Sequence, residues 1–264
     1  MPRYVQPHRR ILNCVPSQNT EDDWGMAQAL QSETVAAPGP LPTSVDLRAT
    51  WWDVGDQLQT GSCVGWATAD SVARWHLVKL GRIPETDHLS VRYVWMAAKE
   101  TDEFTLRPTT FIEREGSCLK TALDVARKFG LVLDSALPFG KVQLFPGDWK
   151  TFYALASQLR INAYFNLGAD LHAWRTWLAG EGPVLTRLDV DETWDKATST
   201  AGNLDVYKPL TARGGHAVAL VGYTDDRFIV RNRWGAPWGD EGYAYASITY
   251  AQAAFTEAYG ITVY

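Results

Sequence analysis

The chain has 264 residues, is 46% hydrophobic with 12 tryptophans, and carries a formal net charge of −5. That composition can bury a large core, in one domain or in two lobes sharing a cleft, and argues against disorder over most of the length. The acidic balance leaves no basic footprint for nucleic acid, and no apolar run approaches the ~20 residues of a membrane span.

The opening residues, Met-Pro-Arg-Tyr-Val-Gln-Pro-His-Arg-Arg, lack an apolar signal core. The chain as written therefore predicts a cytoplasmic location, with secretion by a non-standard route left open. Three cysteines, Cys14, Cys63 and Cys118, are too few for a disulfide framework and fit a reducing compartment. Residues 1–36 are polar and weakly patterned, with acidic early-turn residues over 19–24 and a short helix expected over 26–30. Ala-Ala-Pro-Gly-Pro-Leu-Pro (36–42) reads as an extended linker, which sets residues 1–40 apart as an N-terminal extension.

A helix is expected over 63–80, apolar nearly throughout except at Asp70, Arg74, His76 and Lys79. Asp70 and Arg74, four apart, are expected to pair on a small exposed stripe, and Gly81 to stop the helix. Further helices are expected over 90–99, with Ser90 as N-cap, and over 118–129, where Leu119, Ala122, Leu123, Ala126 and Phe129 keep helical spacing up to Gly130. From about residue 160 the pattern changes. Segments 160–165 and 184–190 read as strands around an amphipathic helix marked by Leu171, Trp174, Trp177 and Leu178. Segments 216–223, 227–233, 242–250 and 259–263 are strand-like, and Thr-Asp-Asp at 224–226 joins the first two in a hairpin. Helices first and antiparallel strands later give an α+β fold.

Three residues stand in surroundings that suggest chemistry. Cys63 lies in Asp-Gln-Leu-Gln-Thr-Gly-Ser-Cys-Val-Gly-Trp-Ala (56–67), His216 in Gly-Gly-His-Ala-Val-Ala-Leu-Val-Gly-Tyr (214–223), and Asn232 in Val-Arg-Asn-Arg-Trp-Gly-Ala-Pro-Trp-Gly-Asp-Glu-Gly-Tyr (230–243). A thiol, an imidazole and an amide that orients the imidazole suffice for attack on a carbonyl carbon. A thiol with an ordinary pKa near ~8.5 is mostly protonated at neutral pH. The start of a helix and a nearby His216 are two ways to lower that value. The small Gly65 is expected to leave room beside the sulfur. Asn232 is expected to accept from His216, with Trp234 covering that bond. Gln57 and the backbone N–H of Cys63 are candidates for the donors of an oxyanion hole. Each residue alone has an ordinary structural reading; the four together, in this order, do not. Cys118 reads as a packing cysteine, as do His8, His76, His88 and His172 as surface or packing residues. The cysteines are too far apart for a zinc site, and no metal or cofactor is expected.

These motifs resemble the papain family of cysteine peptidases, nearer its bacterial members, from Leu41 to the C-terminal residue. The resemblance rests on Leu-Pro-Thr-Ser-Val-Asp-Leu-Arg (41–48), Val-Gly-Asp-Gln (54–57), Gly-Ser-Cys (61–63), Glu-Gly-Ser (115–117), Leu-Pro-Phe (137–139), Gly-Pro-Val (182–184), Gly-Gly-His-Ala-Val (214–218) and the Asn232 segment. It implies a papain-like two-lobe fold. A helical lobe spans about 55–155, an antiparallel β-barrel-like lobe about 156–264, and the cleft lies between them. It implies Cys63 as nucleophile, His216 as general base and then acid, Asn232 as orienter and Gln57 as oxyanion donor, with Gly116, Gly215 and Trp234 supporting the cleft. The substrate would be a peptide or protein. Three positions depart from the usual pattern: Val64-Gly65-Trp66 where a Trp directly follows the nucleophile, Thr60 where a disulfide cysteine stands, and Arg233 where a Ser is common. Residues 1–40 are a candidate autoinhibitory or specificity segment, with a tail packed elsewhere as the alternative. Only its position there gives Cys14 a reading other than packing, as a reversible partner of Cys63. The stretch 189–192 reads as a solvated strand end, or as an acidic rim selecting basic residues. Hydrolysis leads; acyl transfer by the same residues and a catalytically silent peptide-binding module are the alternatives.

Overall fold

The computed structural model describes residues 10–36, 39–101, 116–141 and 145–264. His8, Ala37, Pro38 and Glu115 lie outside the described residues. The central helix begins at Cys63–Gly65, widens into a π-helical stretch over Trp66–Ala73 and returns to α geometry over Arg74–Lys79. Helices Val91–Thr101 and Leu119–Lys128 pack beside it, the former capped by Ser90, whose Oγ accepts from the Tyr93 N–H at 3.1 Å. Gly65 is small because this packing is close. A Cβ there would sit 2.7 Å from the Val91 carbonyl oxygen, so the neighbouring helix, not the sulfur, explains the glycine.

The second half is built on eight strands: β1 Val45–Asp46, β2 Ala163–Asn166, β3 Val184–Val190, β4 Asn203–Leu204, β5 Gly214–Tyr223, β6 Arg227–Arg231, β7 Tyr243–Ser247 and β8 Phe255–Thr262. They form one sheet in the order β2-β8-β3-β5-β6-β7-β4, with β1 added to β5. The sheet is mixed, because β4 runs parallel to β7. Among the described residues it stays open at β2 and β4, so the expected barrel does not close.

β5 explains why the sheet sits between two cores. Ala217, Ala219 and Val221 face the cluster around the central helix, with Cys63, Val64 and Val72. Val218 and Leu220 face the opposite cluster, with Trp174 and Trp177 of helix Leu171–Gly180 and Tyr250 of helix Ile248–Ala254. With both faces covered, the strand reads as an unbroken apolar run. A register shift between Leu220 and Gly222 re-aims the strand end, which puts Tyr223 in the second cluster with its even-numbered neighbours.

Three expectations change. Asp70 and Arg74 do pair, at 3.6 Å, but both are buried, at 3% and 1% side-chain exposure. His76 is buried as well, so Lys79 alone of the four polar residues faces outward. The strand expected over 242–250 stops at Ser247, whose Oγ accepts from the Tyr250 N–H and caps a helix. The acidic stretch 189–192 is not a solvated strand end: Asp191 is fully buried and accepts from Thr193, Lys208 N and Tyr250, while Asp189 pairs with Arg187 and Glu192 with Lys208.

Candidate active site

Cys63, His216 and Asn232 meet where the first turn of the central helix faces β5 and the end of β6. All three are fully buried. His216 lies on β5 and Asn232 directly follows β6; their hairpin pairing brings His216 Nε2 within 2.8 Å of Asn232 Oδ1. The amide oxygen can only accept, so Nε2 carries the proton and Nδ1 is left as the ring's basic nitrogen. Nδ1 makes no direct hydrogen bond, as is common in resting sites, and the imidazole lies near enough to Cys63 to act on its thiol.

Trp234 lies over the imidazole, ring centroids 5.1 Å apart, and Trp194 stands edge-on to it at 5.6 Å. Trp194 also packs on Trp234 and Trp238. This aromatic wall keeps water from the His216–Asn232 bond, which strengthens it. Trp194 had no signal in the sequence; it comes from the short helix Thr193–Lys196 after β3.

Gln57 is buried in the loop before Cys63. Its backbone N–H donates to Arg233 O at 2.9 Å and its Nε2 to Thr60 O at 3.0 Å, which ties the loop to the segment that carries Asn232. Leu58 takes a left-handed φ of 55°, held by Asp56 Oδ1 accepting from its N–H.

Asn232 is also fixed from behind. Arg231 and Arg233 flank it, and both guanidiniums turn to the central helix, where Asp70 receives Arg233 at 2.8 Å and Arg231 at 3.4 Å. Arg74 lies 3.6 Å and His88 3.2 Å from the same carboxylate. Arg233 therefore points away from the imidazole, not at it. The wide π-helical turn that presents Asp70 is a feature frequent at functional sites.

The N-terminal extension divides into two parts. Residues 20–35 join the sheet's outer core through Ala29 and Val35. Residues 10–17 cross directly over Cys63. Cys14 N–H donates to Gly215 O at 3.0 Å, and the Val15 N–H to Ser117 O at 3.1 Å. Arg187 Nε donates to Cys14 O at 3.0 Å. A Cβ on Gly116 would lie 2.4 Å from Asn13 O, and one on Gly215 2.0 Å from Cys14 O, so both glycines leave the width this backbone fills. Arg10 clamps the far end, bonded to Asp56 Oδ1 at 2.6 Å, Leu58 O at 2.7 Å and Trp234 O at 3.1 Å.

The Cys14 thiol meets Cys63. Hydrogen bonding from Cys14, joined by the influence of the nearby His216 imidazole, outweighs burial and holds the Cys63 thiol well below its usual range. Burial first, and then the adjacent Cys63, push the Cys14 thiol well above its own. Cys118 is buried elsewhere, its sulfur 3.3 Å from Thr121 Oγ1. Among the described residues, no cluster of His, Cys, Asp or Glu could hold a metal, and no helix is long and apolar enough to cross a membrane.

Residues 41–260 match the model of the papain family cysteine proteases. Among solved structures, xylellain, a cysteine protease from Xylella fastidiosa, is similar at a TM-score of 0.76 and 21% identity, covering 98% of this chain and 99% of that one. A Carica candamarcensis cysteine protease in complex with E-64 aligns at a TM-score of 0.60 and 19% identity, over 84% of this chain and 99% of that one. Among curated proteins, a cathepsin L-like proteinase of Fasciola hepatica is 22% identical over 77% of this chain, and mouse (Mus musculus) cathepsin F 30% identical over 36%. These matches span 59% and 21% of the two relatives' own lengths. With its α+β fold and a family match over most of its length, the chain belongs to the papain family of cysteine proteases.

Proposed function

We propose that the protein hydrolyses peptide bonds through an acyl-thioester on Cys63. The observation that carries the reading is the buried His216–Asn232 bond of 2.8 Å beside a thiol whose pKa is held well below its usual range. The Cys63 sulfur attacks the scissile carbonyl carbon. The oxyanion that forms accepts from the Cys63 N–H and from the second amide proton of Gln57, whose first is engaged by Thr60. His216 protonates the departing amine from Nδ1, then takes a proton from the water that releases the acid. Asn232 keeps the ring in the one tautomer this requires.

Gly116, Gly215 and Trp234 act as walls. An extended substrate backbone fits the glycine-lined passage that residues 10–17 now fill. The segment is therefore an inhibitory one, and it survives because it offers Cys63 a thiol, with its Cys14 carbonyl held by Arg187. Acyl transfer to an amine uses the same intermediate and is the second reading.

Fluorogenic peptides test the proposal. An Arg10→Glu chain, which repels Asp56, should release product faster than the parent, and Cys63→Ser and His216→Ala in that background should abolish release. Product analysis with added amine separates hydrolysis from transfer. Unchanged rates in the Cys63→Ser chain would overturn the reading.

A further inference from the structure

The reaction proposed above has no use for Cys14, yet Cys14 is the side chain that residues 10–17 deliver to the nucleophile. It is fixed on three sides by Gly215, Ser117 and Arg187, and is only 2% exposed. Its thiol hydrogen-bonds the Cys63 thiol, and both lie in one buried cluster, so the two sulfurs stand side by side.

We propose that Cys14 and Cys63 form an oxidation site, closed by hydrogen peroxide to an intramolecular disulfide that seals residues 10–17 over the passage and stores the nucleophile in recoverable form. Peroxide is close to water in size and reaches Cys63 when the segment opens locally. The Cys63 thiolate attacks one peroxide oxygen; the O–O bond breaks, an S–O bond forms, and hydroxide leaves. Sulfur loses two electrons to the peroxide, and Cys63 becomes a sulfenic acid. Cys14 gives its proton to the hydroxide and attacks the Cys63 sulfur. The S–S bond forms as the S–O bond breaks, and hydroxide leaves, becoming the second water by taking up the proton that the Cys63 thiol gave up on ionising. Two thiols and one peroxide thus yield one disulfide and two waters, and a dithiol reverses the step.

The two sulfurs suit these roles. The Cys63 thiol is held well below its usual range, which favours the thiolate that peroxide oxidises, while the adjacent Cys14 thiol is pushed well above its own, which favours keeping its proton as the resolving partner. Without Cys14, the sulfenic acid has no thiol against it and proceeds to the irreversible sulfinic acid.

The full chain and its Cys14→Ser, Cys14→Ala and Cys118→Ser variants are each treated with peroxide, alkylated without reduction and mapped by mass spectrometry, with peptide hydrolysis measured before treatment, after it, and after dithiothreitol. The expected result is a Cys14–Cys63 linked peptide in the parent and in Cys118→Ser, with activity lost and then restored at least tenfold by dithiothreitol. Both Cys14 variants should instead gain oxygen on Cys63 and stay inactive. A parent without the linked peptide, or one whose Cys63 over-oxidises as fast as in the Cys14 variants, overturns the proposal. Only the effect on activity rests on the peptidase reading. A linked peptide in a chain that never hydrolyses peptides would overturn that reading and leave the oxidation site standing.

Discussion

Replacing Asp70 by Asn keeps the shape of the side chain and removes the one carboxylate that Arg231 and Arg233 share. Both arginine side chains are 0% exposed and Asp70 is 3% exposed, so water cannot take over its role. Burial already pushes the Arg231 guanidinium below its ordinary value. Removing one partner of a buried pair typically costs about 3–5 kcal/mol, because an uncompensated charge remains. At roughly 2–4 °C per kcal/mol for a chain of this size, the melting midpoint should fall by about 10 °C. Arg231 and Arg233 flank Asn232, so its position loosens too, and kcat should fall about tenfold, equivalent to about 1.4 kcal/mol of barrier. Thermal unfolding by near-ultraviolet dichroism and peptide turnover by the Arg10→Glu chain measure the two effects. Asp53→Asn is the control: it also meets Arg74, but it is 67% exposed and should shift the midpoint little. An Asp70→Asn chain that melts with the parent would refute the claim that this carboxylate holds the site from behind.

Three further outcomes follow from the geometry. His76 is buried, its Nε2 has no hydrogen-bond partner, and burial lowers its pKa to about 4 from 6.5. Below pH 6.5 the unfolded chain takes up a proton that the folded chain refuses until about pH 4. Stability should therefore be full above pH 6.5 and decline by roughly 3 kcal/mol across that window, and denaturant titrations of His76→Leu should lack that part of the decline. Asn232→Ala leaves the His216 N–H buried without an acceptor, a penalty of about 1–3 kcal/mol, so kcat/KM should drop about ten- to a hundredfold with a smaller change in KM. Gly215→Val places side-chain atoms where the Cys14 carbonyl and Arg187 now lie, and should expel residues 10–17, seen as faster proteolytic cutting near Cys14.

Much of this was legible because it depends on local pattern. β5 reads as a buried strand since both its faces meet apolar neighbours, and Ser90 reads as a cap since its hydroxyl reaches only three residues on. The failures have physical causes. Asp70 and Arg74 looked like a surface pair because the partners that bury them, Arg231 and Arg233, lie more than 150 residues further along. Tyr-Ala-Tyr-Ala-Ser-Ile-Thr-Tyr alternates like one strand, and what ends the strand is a single hydroxyl at Ser247 that turns to cap a helix. Gly65 stands two residues from the sulfur in sequence, yet the close neighbour that requires it is a helix a loop away. The residues meeting around His216 were readable as types in a given order. That Cys14 joins them rested on its place in the N-terminal extension alone, because nothing in Leu-Asn-Cys-Val-Pro distinguishes a thiol aimed at another thiol from one packed in a core.

The measurement that bears most directly on Cys63 as a His-activated nucleophile is the pH dependence of its alkylation by a peptidyl epoxide, followed by mass spectrometry, in the Arg10→Glu chain with and without His216→Ala. Thiolate is the reactive form, and the Cys63 thiol sits well below its usual range. Labelling should be fast, confined to Cys63 and undiminished as pH falls through 7, with His216→Ala moving its onset upward. Slow labelling shared among Cys14, Cys63 and Cys118, rising only through the ordinary thiol range near ~8.5 and unchanged by His216→Ala, would contradict it.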